Sequence, residues 1–359
     1  MNTRVRRGAS ALALATLPLS LVACSSSDTD EKKDTTSGAV ACPWEPDTSV
    51  TTKARIAWQA IPNADVVVKD QGLLEACLPN AEISWVQASS GGDVIKYYGA
   101  GEVDLGLMGS APAARAASAP LNQDIDLQVV WIHDIIGDAE SLIVKDGAAS
   151  DIAGLQGKKI AVPFSSTAHY SLLQAIGDAG LDASDFDIIN LEPEQMPAAW
   201  STGDIDAAWV WDPAQSKLIA DGGERILSSA DTAEAGRPTF DVGTVSTEFL
   251  AANTAFVNAW AKVQDHAVSV IKDDPAKAAE SVAVVLGITP EDAEKQFAGL
   301  KYLTASEQAG KDYLGGNFAD DLFTTATFLA TQPDGIKAVG TAEEYAAHVA
   351  AGPAAAVAE

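Results

Sequence analysis

Short apolar runs alternate with amphipathic stretches along this chain, and turn residues mark the joins. Arg55 to Ala60, Glu82 to Gln87, Asp104 to Met108 and Gln128 to Ile132 have the length and residue types of strands. Glu140 to Lys145, Lys159 to Val162, Asp187 to Leu191, Ala207 to Trp211 and Arg225 to Leu227 continue the series. Val66 to Leu74 and Val94 to Ala100 read as helices between them. Thr239 to Thr247 reads as extended. Val257 to Lys272, Pro275 to Leu286, Pro290 to Gly299 and Leu314 to Thr331 then carry apolar residues at helical spacing. This βαβα alternation predicts an α/β chain with two mostly parallel sheets flanked by helices.

Two strand-to-helix joins stand out. Gly109-Ser110-Ala111-Pro112 and Ser165-Ser166-Thr167 each place hydroxyls where a helix begins. Such residues cap orphan N–H groups, and the helix dipole there favours an anion. Ligands of open α/β sheets sit at the carboxyl ends of strands, so both turns point to one cleft. Gly109, Ser110, Ser166 and Thr167 are therefore anion-site candidates, with His169 as a neutral N–H donor. The plain alternative is ordinary capping. A nucleophilic Ser166–His169 pair is disfavoured, because no G-x-S-x-G elbow surrounds the serine. The strand Ala207 to Trp211 ends in Trp209-Val210-Trp211-Asp212. Alternation puts both tryptophans on one face. Trp211 with Asp212 would hold an ammonium by a cation–π contact and a counter-charge, while Trp209 packs in the core. Gln59, closing the first strand, can hydrogen-bond across the cleft. An anion seat and a cation seat together suggest a small zwitterion.

The N-terminus changes where this cleft would work. Arg4, Arg6 and Arg7 precede the apolar run Ala9 to Leu21, which is too short to span a bilayer. Leu21-Val22-Ala23-Cys24 resembles a lipobox, predicting removal of residues 1–23 and diacylation of Cys24. Residues 24–43 read as a disordered tether, rich in Ser, Thr, Asp and Lys. Two cysteines then remain, Cys42 and Cys77, and two thiols in an oxidising compartment usually pair. The formal charge is −27 over 359 residues. It disfavours nucleic acid and free anions as partners, whereas a zwitterion is indifferent to it. The four histidines are scattered, without metal spacing.

The segment SSTAHYSLL after Pro163-Phe164 and the segment AAW-x-x-GDIDAAWVWDPA from Ala198 resemble the taurine-binding branch of the periplasmic proteins of ABC importers. The wider group binds sulfonates, nitrate and thiamine precursors. The likeness runs more weakly from Arg55 to Phe328. It implies a type II two-lobed fold, with residues 50–138 and 247–359 in lobe 1 and 139–246 in lobe 2. The crossings would lie near Gly137 to Ser141 and Asp241 to Ser246. Asp241 matches a family segment and is a candidate ammonium partner; Glu140, at the first crossing, is another. The family's aromatic residue two positions after Asp241 is here Gly243. Arg237 stands where a small residue is expected, so a longer or more anionic ligand would fit.

The resulting expectation is a lipid-anchored protein at the outer face of the cell membrane that captures taurine or a related aminosulfonate. It would hand this to a permease driven by an ATPase, and it needs no cofactor or metal. The alternatives are an alkanesulfonate, a nitrate-like anion or a thiamine precursor. An enzyme such as a pyrimidine-precursor synthase would demand a Cys/His-rich or iron-binding cluster, and a purely structural lipoprotein leaves both turns unexplained.

Overall fold

The computed structural model describes residues 40–332 and 335–358. The leader (1–23), Cys24 and the tether up to residue 39 lie outside the described residues.

Among the described residues eleven strands run in chain order: β1 Lys53–Trp58, β2 Glu82–Gln87, β3 Leu105–Gly109, β4 Leu127–Ile136, β5 Glu140–Lys145, β6 Lys159–Val162, β7 Asp187–Asn190, β8 Ala207–Trp211, β9 Gly223–Ser228, β10 Phe240–Ser246 and β11 Leu300–Lys301. They form two sheets, ordered β11-β4-β10-β3-β1-β2 and β7-β6-β8-β5-β9. Parallel pairs such as β1 with β2 and β3, or β6 with β7 and β8, follow from the helical crossovers between them. Two of the antiparallel strands, β5 and β10, are those by which the chain enters a sheet from the other one. β5 runs against β8 and β9, and β10 runs against β3 and β4.

The chain passes from the first sheet to the second between Ile136 and Glu140. The return crossing does not fall at Asp241 to Ser246. Those residues belong to β10, which pairs along its length with β3 and β4, so the chain has crossed back before Phe240. Phe240, Val242 and Val245 are buried, and a strand paired on both sides is more stable inside the first sheet than as a linker. Residues 240–246 therefore go with lobe 1.

Lobe 2 shows the period of two. Leu142 and Val144 join one buried cluster with Leu172 and Trp209, while Ile143 joins the opposite one with Met196 and Trp200. Lobe 1 packs around Trp131, Phe256, Trp260 and Phe318. Its helix Thr254–Asp273 turns an apolar face to this core.

Cys42 and Cys77 are joined by a disulfide with Cα atoms 4.8 Å apart. The Val40 N–H donates to the Gln71 carbonyl at 3.1 Å. Lys262 Nζ lies 4.3 Å from the centre of the Trp44 ring. The last residues of the expected tether, from Val40, are thus docked on lobe 1 rather than loose. The helices Ala342–Ala346 and Gly352–Ala358, which no sequence signal revealed, also dock there; the His348 imidazole meets the Leu127 carbonyl at 2.8 Å. Among the described residues no helix is long and apolar enough to cross a membrane.

Candidate functional site

A narrow cavity lies where the carboxyl edges of the two sheets meet. Gln59, Pro62, Gly109, Ile136 and Asp241 line it from lobe 1. Glu140, Ser166, Thr167, Trp211 and Asp212 line it from lobe 2. Five of these residues stand at strand ends: Gln59 after β1, Gly109 closing β3, Asp241 near the start of β10, Glu140 opening β5 and Trp211 closing β8. The lobes touch here. A Cβ on Gly109 would come 2.5 Å from Thr167 Cγ2, so only glycine permits this approach.

The hydroxyl turn at Ser166 is built as a cap. Ser166 Oγ accepts from the His169 N–H at 3.1 Å and donates to the Pro163 carbonyl at 2.6 Å, so its hydroxyl is committed. The helix Thr167–Asp178 that it caps points its N-terminus at Glu140. Thr167 donates to Glu140 Oε2 at 2.5 Å and Ser229 to Oε1 at 2.6 Å, and the Ala168 backbone adds a further bond. The protein's own carboxylate therefore occupies the anion position of that helix. Burial pushes the Glu140 carboxyl up to about 7, against the pull of those donors.

Two sequence candidates leave the cavity wall. Ser110 is buried, and its Oγ accepts from the Phe240 N–H at 3.2 Å, fixing the start of β10 across the sheet. His169 stacks on Phe164 with ring centres 4.6 Å apart, and its Nδ1 accepts from the Ser165 N–H at 3.4 Å. It lines a separate groove with Phe164, Leu173 and Phe328. Being three residues past the cap, it rotates away from the strand ends.

The tryptophans divide as expected, with Trp209 fully buried in lobe 2 and Trp211 in the cavity wall. Asp212 accepts at Oδ1 from the Ser216 N–H at 3.0 Å and from the Ser216 hydroxyl. Burial raises its carboxyl to about 6. The two departures from the family pattern lie elsewhere. A Cβ on Gly243 would come 2.5 Å from Trp260, so this glycine makes room for a core tryptophan and does not widen the cavity. Arg237 pairs with Asp178 at the end of its helix. Neither residue lines the cavity, so the expectation of a longer or more anionic ligand loses its basis.

One acidic residue was missed. Asp134, fully buried near the end of β4, is the register partner of Asp241. The ladder skips His133 between Asp134 and Ile132, a bulge that re-aims the strand end. Tyr302, which donates to the Pro62 carbonyl at 2.6 Å, was also missed. A charged pair of letters inside the apolar run VVWIHDII was the available signal for Asp134. Taken together, the wall presents Glu140, Asp212 and Asp241, with Asp134 behind, and no Lys or Arg. It suits a cation. Among the described residues no cluster could hold a metal ion. No Ser166–His169 pair forms, because the serine hydroxyl is given to a carbonyl.

A sequence model of the NMT1-like family matches residues 48–286. The taurine-binding periplasmic protein of Escherichia coli (strain K12) is 34% identical over 275 residues, covering 75% of this chain and 82% of that protein. The solved alkanesulfonate-binding protein SsuA from Xanthomonas axonopodis pv. citri, bound to MOPS, superposes with a TM-score of 0.65 at 24% identity, covering 87% of this chain and 98% of that one. The periplasmic aliphatic sulphonate binding protein SsuA from Escherichia coli gives a TM-score of 0.67 at 21% identity, covering 82% and 92%. These two likenesses concern the fold.

Proposed function

The chain belongs to the NMT1-like family, and on that premise we propose that it captures taurine or a close aminosulfonate for an ABC importer. It is a binding protein and not an enzyme, as its relatives are. The observation that carries the ligand is the cavity wall, where three carboxyls and a Trp face inward with no basic side chain among them. A simple alkanesulfonate or nitrate leaves those carboxyls without a partner; an ammonium gives them one. In this reading Asp241, Asp212, Glu140 and Trp211 surround the ammonium. The sulfonate lies against Gln59 and the backbone of the turn at Gly109. A micromolar affinity requires about 8 kcal/mol, within reach of a few charge-assisted hydrogen bonds and one desolvated cation–π contact.

A thermal-shift series with taurine, isethionate, ethanesulfonate and β-alanine tests it. Taurine should raise the melting temperature most, because isethionate and ethanesulfonate lack the amine and β-alanine lacks the sulfonate. A response to β-alanine equal to that for taurine, or none to taurine, defeats the assignment. Extracytoplasmic location follows the relatives; anchoring through Cys24 is the finer proposal, resting on the Leu21-Val22-Ala23-Cys24 run. A Cys24→Ala chain should leave the membrane fraction for the soluble one, and equal partition of the two chains would count against a lipid anchor.

A further inference from the structure

Asp134 has no evident structural task. It is fully buried, and its polar neighbours are the Asn63 amide and the Asp241 carboxyl, the latter able to hydrogen-bond to it only if one of the two acids keeps a proton. It lies beside Asp241, whose carboxyl is in the cavity wall. No ion pair reaches either residue among the described residues. Two adjacent carboxylates in a dry interior cannot both ionise without a cation; they hold one proton between them.

We propose that Asp134 is the concealed half of the cation seat: in the empty cleft it shares a proton with Asp241, and an arriving ammonium displaces that proton to solvent. The pair carries one negative charge before binding and two afterwards, and the ligand keeps all its own protons. Asp134 is thus a positioning and specificity residue, acting through Asp241. The proposal rests on the reading of the site as one for an amine-bearing sulfonate.

The surroundings supply no competing cation. Asp134 faces Asp241 on β10, Glu140 on β5 and the Asn63 amide ahead of the helix Ala64–Gln71. Tyr302, after β11, feels both aspartates. His133 is the neighbour on β4, but its ring packs against Trp260 at 5.8 Å and burial keeps it neutral. Burial and then the Asp241 charge hold Asp134 well above the usual carboxylate range, and burial raises Asp241 to about 7. Both carboxyls are raised, so the protonated pair is the form present at lower pH and the amine-binding form gains as pH rises. Taurine affinity should climb with pH, approaching about tenfold per unit on the acid side and flattening once the pair is ionised.

Titration calorimetry of the full chain with taurine, from about pH 5 to about pH 8 and in buffers of differing ionisation enthalpy, tests this. The wild type should release close to one proton per taurine bound. Asp134→Asn should release less and show a flatter pH slope, its loss of affinity confined to the alkaline side. Wild-type binding without proton release, or the same slope in Asp134→Asn, overturns the proposal. Should taurine fail to bind at any pH, the ligand assignment is what fails. Infrared spectra of the empty protein then judge the pair. A carboxylic-acid C=O band near neutral pH that Asp134→Asn or Asp241→Asn removes supports a shared proton, and its absence from the wild type refutes it.

Discussion

Replacing Asp241 by Asn separates recognition of the amine from recognition of the anion. The substitution keeps the shape of the side chain and removes its charge, at a position that is 5% exposed in a closed cleft. Losing one partner of a buried charged pair costs about 2–5 kcal/mol, much of it from the charge left behind. Here the upper end does not apply, since Glu140 and Asp212 remain in the wall and Asp134 stands behind it. The expected loss is about 2–3 kcal/mol, or roughly 30- to 150-fold in taurine affinity. Ethanesulfonate has no amine, and for it the same change removes a repulsive charge. Its affinity should hold or improve. Calorimetry with both ligands at one fixed pH reads the difference. Equal losses for the two ligands would refute an ammonium contact at Asp241 and with it the cation-seat reasoning.

Trp211→Ala should weaken taurine by about 0.5–2 kcal/mol and ethanesulfonate by less, by the cation–π argument, which competitive binding can compare. Trp209→Ala, in the lobe 2 core, should instead lower stability by about 3–5 kcal/mol in urea unfolding. Ser166→Ala removes a cap whose hydroxyl is already spent within the turn. A stability loss of about 0.5–2 kcal/mol is expected by melting, with taurine affinity changing less than about tenfold; a larger drop would mean the hydroxyl reaches the ligand after all. The Cys42–Cys77 bridge closes a sequence separation of 35 residues, for which loop-closure entropy gives about 4 kcal/mol. Urea midpoints of the parent and a Cys42→Ser/Cys77→Ser chain check that value, and a difference under about 1 kcal/mol would contradict it.

The strands that the sequence makes visible are those with sharp ends. β2, β5, β6 and β8 begin and end where the apolar pattern does. β4 was truncated at Ile132 because His133-Asp134 looks like a polar boundary. The strand continues to Ile136, since a bulge at His133 absorbs the break in alternation. β10 was recognised as extended but given to the wrong lobe. Strand propensity states that a segment is extended, and its pairing partners are set by contacts distant in sequence. The same limit hid the docking of the C-terminal helices Ala342–Ala346 and Gly352–Ala358. They are short and are held by lobe 1 rather than by their own periodicity.

At the site, residue type and strand-end position pointed to Gln59, Gly109, Thr167, Trp211 and Asp212, and the family resemblance to Glu140 and Asp241; all line the cavity, but neither source could assign the hydrogen-bond partners of each. Ser166 and Ser110 illustrate the difference. Both hydroxyls sit at helix starts, where an anion is the natural guess, and both are consumed by backbone groups. The anion that the helix Thr167–Asp178 does meet is Glu140, whose place depends on a crossing between lobes. This inverts the electrostatics of the cleft. A helix terminus that would have attracted the ligand's sulfonate instead steadies a carboxylate, and that carboxylate joins Asp212 and Asp241 in favouring positive charge. The selectivity of the cleft is therefore expected to reside in the amine, with the sulfonate held by weaker neutral donors. Changes to the acidic wall should alter which ligand is chosen, whereas changes to the hydroxyl turns should alter how firmly the lobes are built.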